Sequence, residues 1–161
     1  GQLTVTRDGD RLSMDFPARA PTPVAVSEAL SDALGEAPSE VYVSRDILAV
    51  YEDAASVRRL SPDQAKLLAL DEGLGVIVTA RGDEADFVSR FFVPKAGIAE
   101  DPVTGSAHCT LVPFWAERLG RSQLVAHQVS SRGGELHCEH RGSRVIMSGQ
   151  CTLFLTGRIH L

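Results

Sequence analysis

Apolar residues change their spacing several times along this chain, and each change marks an element. From Leu111 through Val112 and Trp115 to Leu119 they recur at helical intervals, and Gly120 closes the run. A helix starting at Ser106 is expected there. It is apolar around much of its circumference, so it should be enclosed rather than laid on a surface. Pro113 inside it removes one backbone hydrogen bond and predicts a modest kink.

Upstream, residues 20–23 read as a proline-marked turn, and Ser27 caps a short amphipathic helix through Leu34 that ends at Gly35. Residues 41–43 and 47–51 read as paired strands. Residues 53–60 and 61–70 read as helices, the second with Ser61 as cap and Pro62 in its first position. The β-branched run 75–80 predicts a buried strand, and 87–94 a strand that delivers the chain to the residues before the long helix. Downstream, residues 123–130, 136–140, 143–148, 151–156 and 158–161 alternate between Gly or Ser turns and predict a meander. A curved sheet wrapped around one central helix satisfies both patterns, which makes the expected class α/β (α+β) with a mostly antiparallel sheet.

Composition narrows the function classes. At 161 residues, 43% hydrophobic and 23% charged, the chain suits one globular unit. A formal net charge of −5 without a Lys/Arg cluster argues against nucleic acid as a partner. No stretch approaches the roughly 20 apolar residues of a membrane span, and no signal-like start is present, so no membrane partner and a cytoplasmic location are expected. Cys109, Cys138 and Cys151 are odd in number and widely spaced, which predicts buried small residues rather than disulfides. His137, Cys138, Glu139 and His140 are metal-ligand types, but consecutive strand residues face opposite sides. No metal is expected.

The candidate chemistry lies in Asp101-Pro102-Val103-Thr104-Gly105-Ser106-Ala107-His108. Pro102 holds Asp101 extended, Gly105 permits close approach, and the N–H groups of Ser106, Ala107 and His108 have no carbonyl one turn earlier. Donors and helix dipole together suit a carboxylate or phosphate. The same residues also read as an ordinary cap and turn. The Lys and second glycine of a P-loop are absent. Arg90 reads as a solvated strand residue or as an ion-pair partner for Glu100 or Asp101 that orients this loop.

Glu100 to His108, preceded by Ser89-Arg90-Phe91-Phe92-Val93-Pro94 and Gly97-Ile98, closely resembles the signature of the phenazine-biosynthesis PhzF-like isomerases, which have the diaminopimelate-epimerase fold. Met14-Asp15-Phe16-Pro17, Ser131-Arg132-Gly133-Gly134-Glu135 and Ser148-Gly149-Gln150 extend the resemblance over nearly the whole chain. It implies a cofactor-independent proton transfer on a small carboxylate substrate. Asp101 would be the catalytic residue, with Gly105, Ser106, Ala107, Arg90 and His108 binding substrate. His108 reads equally as a satisfied helix histidine, because the family's catalytic histidine belongs to the other half. Cys109 is a further candidate base, since racemases of this fold use cysteine pairs. Ser130 or Arg132 would face the cleft.

Family members are about twice this long, and their general-base glutamate lies near the start of the first half, to which nothing here corresponds. Residues 1–11 therefore read as the end of the first lobe and the connection, and 12–161 as the C-terminal lobe. Gly1 at the start fits a segment of a longer protein. The implied partners are the missing N-terminal lobe and a second copy in a homodimer, and no cofactor. The other reading is a non-catalytic anion-binding or assembly module.

Overall fold

Short alternating runs separated by glycine turns build most of the molecule. In the computed structural model, which describes residues 4–158, β1 (Thr4–Asp8) and β2 (Arg11–Pro17) form a hairpin, with Gly9 at φ +60° in the turn. β3 (Thr22–Val24) follows, then α1 (Glu28–Leu34), β4 (Glu40–Val43), β5 (Ile47–Val50), α2 (Ala54–Arg59) and α3 (Gln64–Leu68). β6 (Val76–Arg81), β7 (Phe87–Val93) and β8 (Ile98–Asp101) lead into α4 (Gly105–Leu119), and β9 (Gln123–Gln128), β10 (Gly134–Arg141) and β11 (Arg144–Gln150) complete the fold.

The eleven strands make one sheet in the order β1-β2-β11-β10-β9-β7-β6-β5-β4-β3, with β8 paired to β7. Among the described residues only β5–β6 and β7–β9 are parallel. This agrees with the expected mixed, mostly antiparallel architecture. The sheet is clothed on both faces, which explains why β5 is buried at all four positions. Leu48 and Val50 point into a core built on α4, whereas Ile47 and Ala49 point into a second core under α1, α2 and α3.

α4 is the axis of the first core. Residues Ala107–Ala116 are all buried, against Phe87 and Phe91 of β7, Leu124 and Ala126 of β9, Leu136 and Cys138 of β10, and Val145 and Met147 of β11. Trp115 stacks on Phe87 at 5.8 Å and donates its indole N–H to Thr79 Oγ1 at 3.0 Å. A buried indole with a stacked partner and its donor satisfied holds one orientation. Pro113 lies inside the helix, and its missing N–H leaves the Cys109 carbonyl without its usual partner. The backbone N–H of Arg19, in the segment after β2, supplies the bond at 2.8 Å. The helix thus continues through its proline, and the β2–β3 connection is pinned to it.

Local expectations hold at α1, where Ser27 Oγ accepts the Leu30 N–H and Gly35 at φ +78° ends the helix. Other details differ. Asp63, not Ser61, caps α3, because its carboxylate reaches both Ala65 and Lys66 N–H while Pro62 stays outside the helix. Pro23 lies in β3 at the edge of the sheet, where a missing donor costs nothing on the solvent side. Residues 98–101, unassigned from sequence, pair with β7 as a short strand. The expected strand 151–156 has no regular structure: Leu153, Phe154 and Leu155 are three consecutive exposed apolar residues without the alternation that pairs a strand. Of the expected strand 158–161, residue 158 also lacks regular structure and the rest lies outside the described residues. Of residues 1–11, read as the end of the first lobe and the connection, residues 1–3 likewise lie outside them.

Gly75, just before β6, has no room for a side chain: a Cβ would stand 2.7 Å from both the Phe92 carbonyl oxygen and the Phe91 ring. The carbonyl belongs to the neighbouring strand and cannot swing aside. Gly75→Ala should therefore lower the unfolding free energy by about 2 kcal/mol, read from urea unfolding.

Candidate active site

β7 and β8 are joined by a 3-10 turn (Pro94–Ala96) and by Gly97 at φ +78°. Their register shifts between Phe91 and Val93, so that Phe91 pairs with Asp101 and Val93 with Ile98. Such an irregularity re-aims the strand end. From the end of β8 the chain passes through Pro102–Thr104 into the first turn of α4.

Arg90 fixes this hairpin. Its guanidinium forms a two-pronged pair with Glu100 (Nε–Oε1 2.8 Å, Nη2–Oε2 2.9 Å), and its Nη1 donates to the carbonyls of Leu60 (2.7 Å) and Val57 (3.2 Å). These last carbonyls are the orphan acceptors at the end of α2. It also lies 4.7 Å from the Phe92 ring centroid. Each of its three nitrogens is engaged, which matches the orienting ion pair expected of Arg90 with Glu100, and of its five N–H groups one on Nη2 has no acceptor among the described residues.

Asp101 belongs to a buried polar network that the sequence reading did not contain. Gln128, at the end of β9 and 1% exposed, accepts the Thr104 N–H at 2.7 Å and donates to the Asp101 carbonyl at 2.7 Å and to Thr104 Oγ1 at 3.0 Å. Because the threonine oxygen accepts from Gln128, its own proton goes to Asp101 Oδ2 at 2.5 Å. The carboxylate is oriented through one oxygen, while Oδ1 has no donor among the described residues. Thr104 is the residue before α4, yet its side chain makes no cap bond because it is committed to Asp101.

The first N–H groups of α4 are accordingly left for a guest. Among the described residues no acceptor engages the amides of Gly105, Ser106 or Ala107. Gly105 has helical φ rather than positive φ, and a Cβ there would meet nothing within 4 Å. Its contribution is open space, not backbone freedom. Ser106 is partly exposed, and its Oγ accepts from Arg45 Nη2 at 3.0 Å. Arg45, in the turn between β4 and β5, carries no local motif that would mark it in the sequence.

His108 and Cys109 point the other way. His108 is fully buried, with Nδ1 2.7 Å from the Thr104 carbonyl and the ring 6.0 Å from that of Phe87. A carbonyl only accepts, so Nδ1 carries the proton and Nε2 is left without a partner. Burial pushes the imidazole pKa down to about 4. The geometry matches the helix-histidine reading, since the ring faces the core and not the open first turn. Burial likewise pushes the Cys109 thiol up, against the opposing pull of Arg19, Arg45 and Arg144. A buried, protonated thiol is a poor base.

Ser130 anchors the loop from behind: its Oγ donates to the Pro102 carbonyl at 2.8 Å and accepts the Gly133 N–H at 3.1 Å. Arg132 is exposed and lines, with Arg58, His127, Gln128 and Ser130, a depression of about 510 Å³ beside the loop. A larger cleft of about 1070 Å³, lined by Tyr42, Phe114, Arg118 and His140 among others, lies at the opposite end of α4. It holds neither Asp101 nor the unpaired helix donors. No group of three His, Cys, Asp or Glu converges on a metal position among the described residues.

Comparison with known proteins gives this geometry a context. The family model described as phenazine biosynthesis-like protein matches residues 9–157. An uncharacterized isomerase of Pseudomonas aeruginosa is 49% identical over 161 residues, covering all of this chain and 62% of that protein. A phenazine biosynthesis-like domain-containing protein of mouse is 32% identical over 179 residues, again spanning 62% of its length. The crystal structure of a PhzF-family phenazine biosynthesis protein from Enterococcus faecalis superposes with TM-score 0.94 at 46% identity, covering 99% of this chain and 61% of that one. A predicted epimerase from Pseudomonas aeruginosa, 18% identical with TM-score 0.60, shares the fold. The chain therefore spans about three fifths of the length of the relatives it matches.

Two measurements check the site's internal architecture. Gln128→Leu leaves the Thr104 N–H and the Asp101 carbonyl unpaired in a buried place, and should cost about 3 kcal/mol of unfolding free energy. His108 has a folded pKa of about 4 against an ordinary 6.5, so the unfolded state binds the extra proton between those values. Stability should be full above pH 6.5, fall by about 3 kcal/mol as the pH drops toward 4, and level off below. His108→Leu should flatten that part of the profile.

Proposed function

The chain belongs to the phenazine biosynthesis-like (PhzC-PhzF) family, and on that premise we propose that it is the C-terminal lobe of an isomerase acting by proton transfer on a small carboxylate. The observation that carries the reading is the pairing of a carboxylate oriented through one oxygen, Asp101, with an unoccupied helix N-terminus three residues later. A base on the N-terminal lobe removes a proton from a carbon near the substrate's carboxylate. The electron pair moves into the adjacent π system, and the proton returns to a different carbon or to the other face. Mass and charge of the substrate are unchanged, and no cofactor takes part.

In this proposal the amides of Gly105, Ser106 and Ala107 receive the substrate carboxylate, where charge that grows during proton abstraction meets preorganised donors. Asp101 Oδ1 faces the reacting carbon or its substituents and guides the returning proton. Arg90 and His108 hold the loop and the helix start. The general-base glutamate, the N-terminal lobe that carries it, a homodimer and a cytoplasmic setting complete the proposal.

Asp101→Asn tests it, because asparagine can still accept from Thr104 and the network survives. In the complete two-lobe protein, deuterium uptake from D₂O into a turned-over carboxylate should fall by about a hundredfold or more, with little change in Tm. Retained activity per folded molecule together with a large loss of stability would instead make Asp101 structural and favour the anion-binding or assembly module.

A further inference from the structure

The turn between β4 and β5 is bound to the start of α4 more firmly than a surface turn requires. Ser44 Oγ meets Thr110 Oγ1 at 2.9 Å, and the Arg45 carbonyl accepts the Leu74 N–H at 3.3 Å. The Arg45 guanidinium is gripped by Asp46 through Nε (3.0 Å) and Nη2 (2.9 Å). Asp46 is itself fully buried, and its second oxygen accepts the Gly75 N–H at 3.2 Å. The side chain of Arg45 nevertheless remains 36% exposed, and its Nη2 reaches Ser106 Oγ at 3.0 Å. A rotamer-rich arginine has been fixed in place with one edge toward solvent.

We propose that Arg45 is a positioning and specificity-determining residue: it fixes the Ser106 hydroxyl as a hydrogen-bond donor toward the substrate's carboxylate and keeps the Asp46 carboxylate beside it neutralised. This role presupposes the carboxylate site at the first turn of α4 proposed above. A guanidinium has five donors and no acceptor, so in the Arg45–Ser106 contact the serine oxygen must accept. Its proton is then turned toward whatever occupies the helix start. A neutral guest lacking an acceptor there leaves that proton unused, whereas a carboxylate takes it together with the backbone donors.

The surrounding charges point the same way. Arg19, whose backbone is pinned to the Cys109 carbonyl, has a buried Nη1 without a partner among the described residues. Arg19, Arg45 and Arg144 all act on the Cys109 thiol, one turn into the helix. Asp15 pairs with Arg144 and Asp46 with Arg45, which leaves Arg19 as a cation without an ion-pair partner among the described residues. The helix start therefore offers more than its dipole, and discrimination between a carboxylate and its amide is the expected result.

Benzoate and its neutral isostere benzamide, titrated by NMR against the complete two-lobe protein, separate the possibilities. Arg45→Met should weaken benzoate about tenfold and benzamide, whose neutral carbonyl accepts the Ser106 proton only weakly, much less. Ser106→Ala should give a similar loss, and the double variant no more than the larger single effect, since the two residues act as one unit. Arg45→Lys keeps the charge but not the fork, and should restore part of the affinity. Added salt should weaken benzoate binding to the unmodified protein more than to Arg45→Met.

The proposal is overturned if benzoate binds Arg45→Met and Arg45→Lys as it binds the unmodified protein. It is equally overturned if benzoate and benzamide weaken together, or if benzoate does not bind the unmodified protein at all. Failure of the proposed reaction is distinguishable: full deuterium exchange by Asp101→Asn would remove the isomerase reading while leaving the carboxylate selectivity of Arg45 intact.

Discussion

A helix buried around most of its circumference can meet solvent only at its ends. That constraint organises this molecule, because α4 is enclosed from Ala107 to Ala116 and only Gly105 and Ser106 emerge on its N-terminal side. Enclosure fixes the axis, and the axis fixes where the unpaired N–H groups point. The first turn then combines rigid placement with free donors, which is the combination an anion site needs. The side chains within the enclosed part, His108 and Cys109 among them, are held neutral by the same burial.

Keeping such a helix continuous required a solution at Pro113. The carbonyl that the proline cannot satisfy is taken by the Arg19 N–H, so a local defect became a tertiary link. The link brings the β2–β3 connection, and with it a cation, next to the first turn. A similar economy governs Gln128, whose single amide group ties the end of β9 to the carbonyl of Asp101 and to both the N–H and hydroxyl of Thr104. Arg90 does the same from the other side, joining β7, β8 and the end of α2. Asp101 is oriented by groups from three distant parts of the chain, which is why a short exposed loop can be stiff.

The opposite end of α4 shows what the fold does when those elements are missing. The larger cleft there has aromatic and cationic walls, with Arg118 over the Phe114 ring and paired to Glu40, but its charges are already matched. An occupied ion pair on a rim supports packing more than recognition. Helix polarity adds to the contrast, since carbonyls rather than N–H groups point out of that end.

Period and punctuation were enough to place most elements. Ser27 and Gly35 bound α1 as their chemistry dictates, the β-branched run became β6, and the all-round apolar run of α4 implied enclosure before any coordinate was known. Asp101, Gly105 and Ser106 stood out as a candidate site because a turn, a glycine and small polar residues at a helix start are local features, although the same residues also read as an ordinary cap and turn and the family signature tipped the reading. What sequence could not decide are contacts made across distance. The cap of α3 passed to Asp63 because geometry favoured the carboxylate, and residues 151–156 lacked a partner to become a strand. Gln128, Arg45 and Arg19 stand 24, 61 or more positions away from the groups they serve, and no spacing rule links them. Their roles exist only because the sheet, curved around α4, brings β9, the β4–β5 turn and the β2–β3 connection to one helix. Hydrogen-bond satisfaction in a closed space is a property of the packed chain, not of any segment of it.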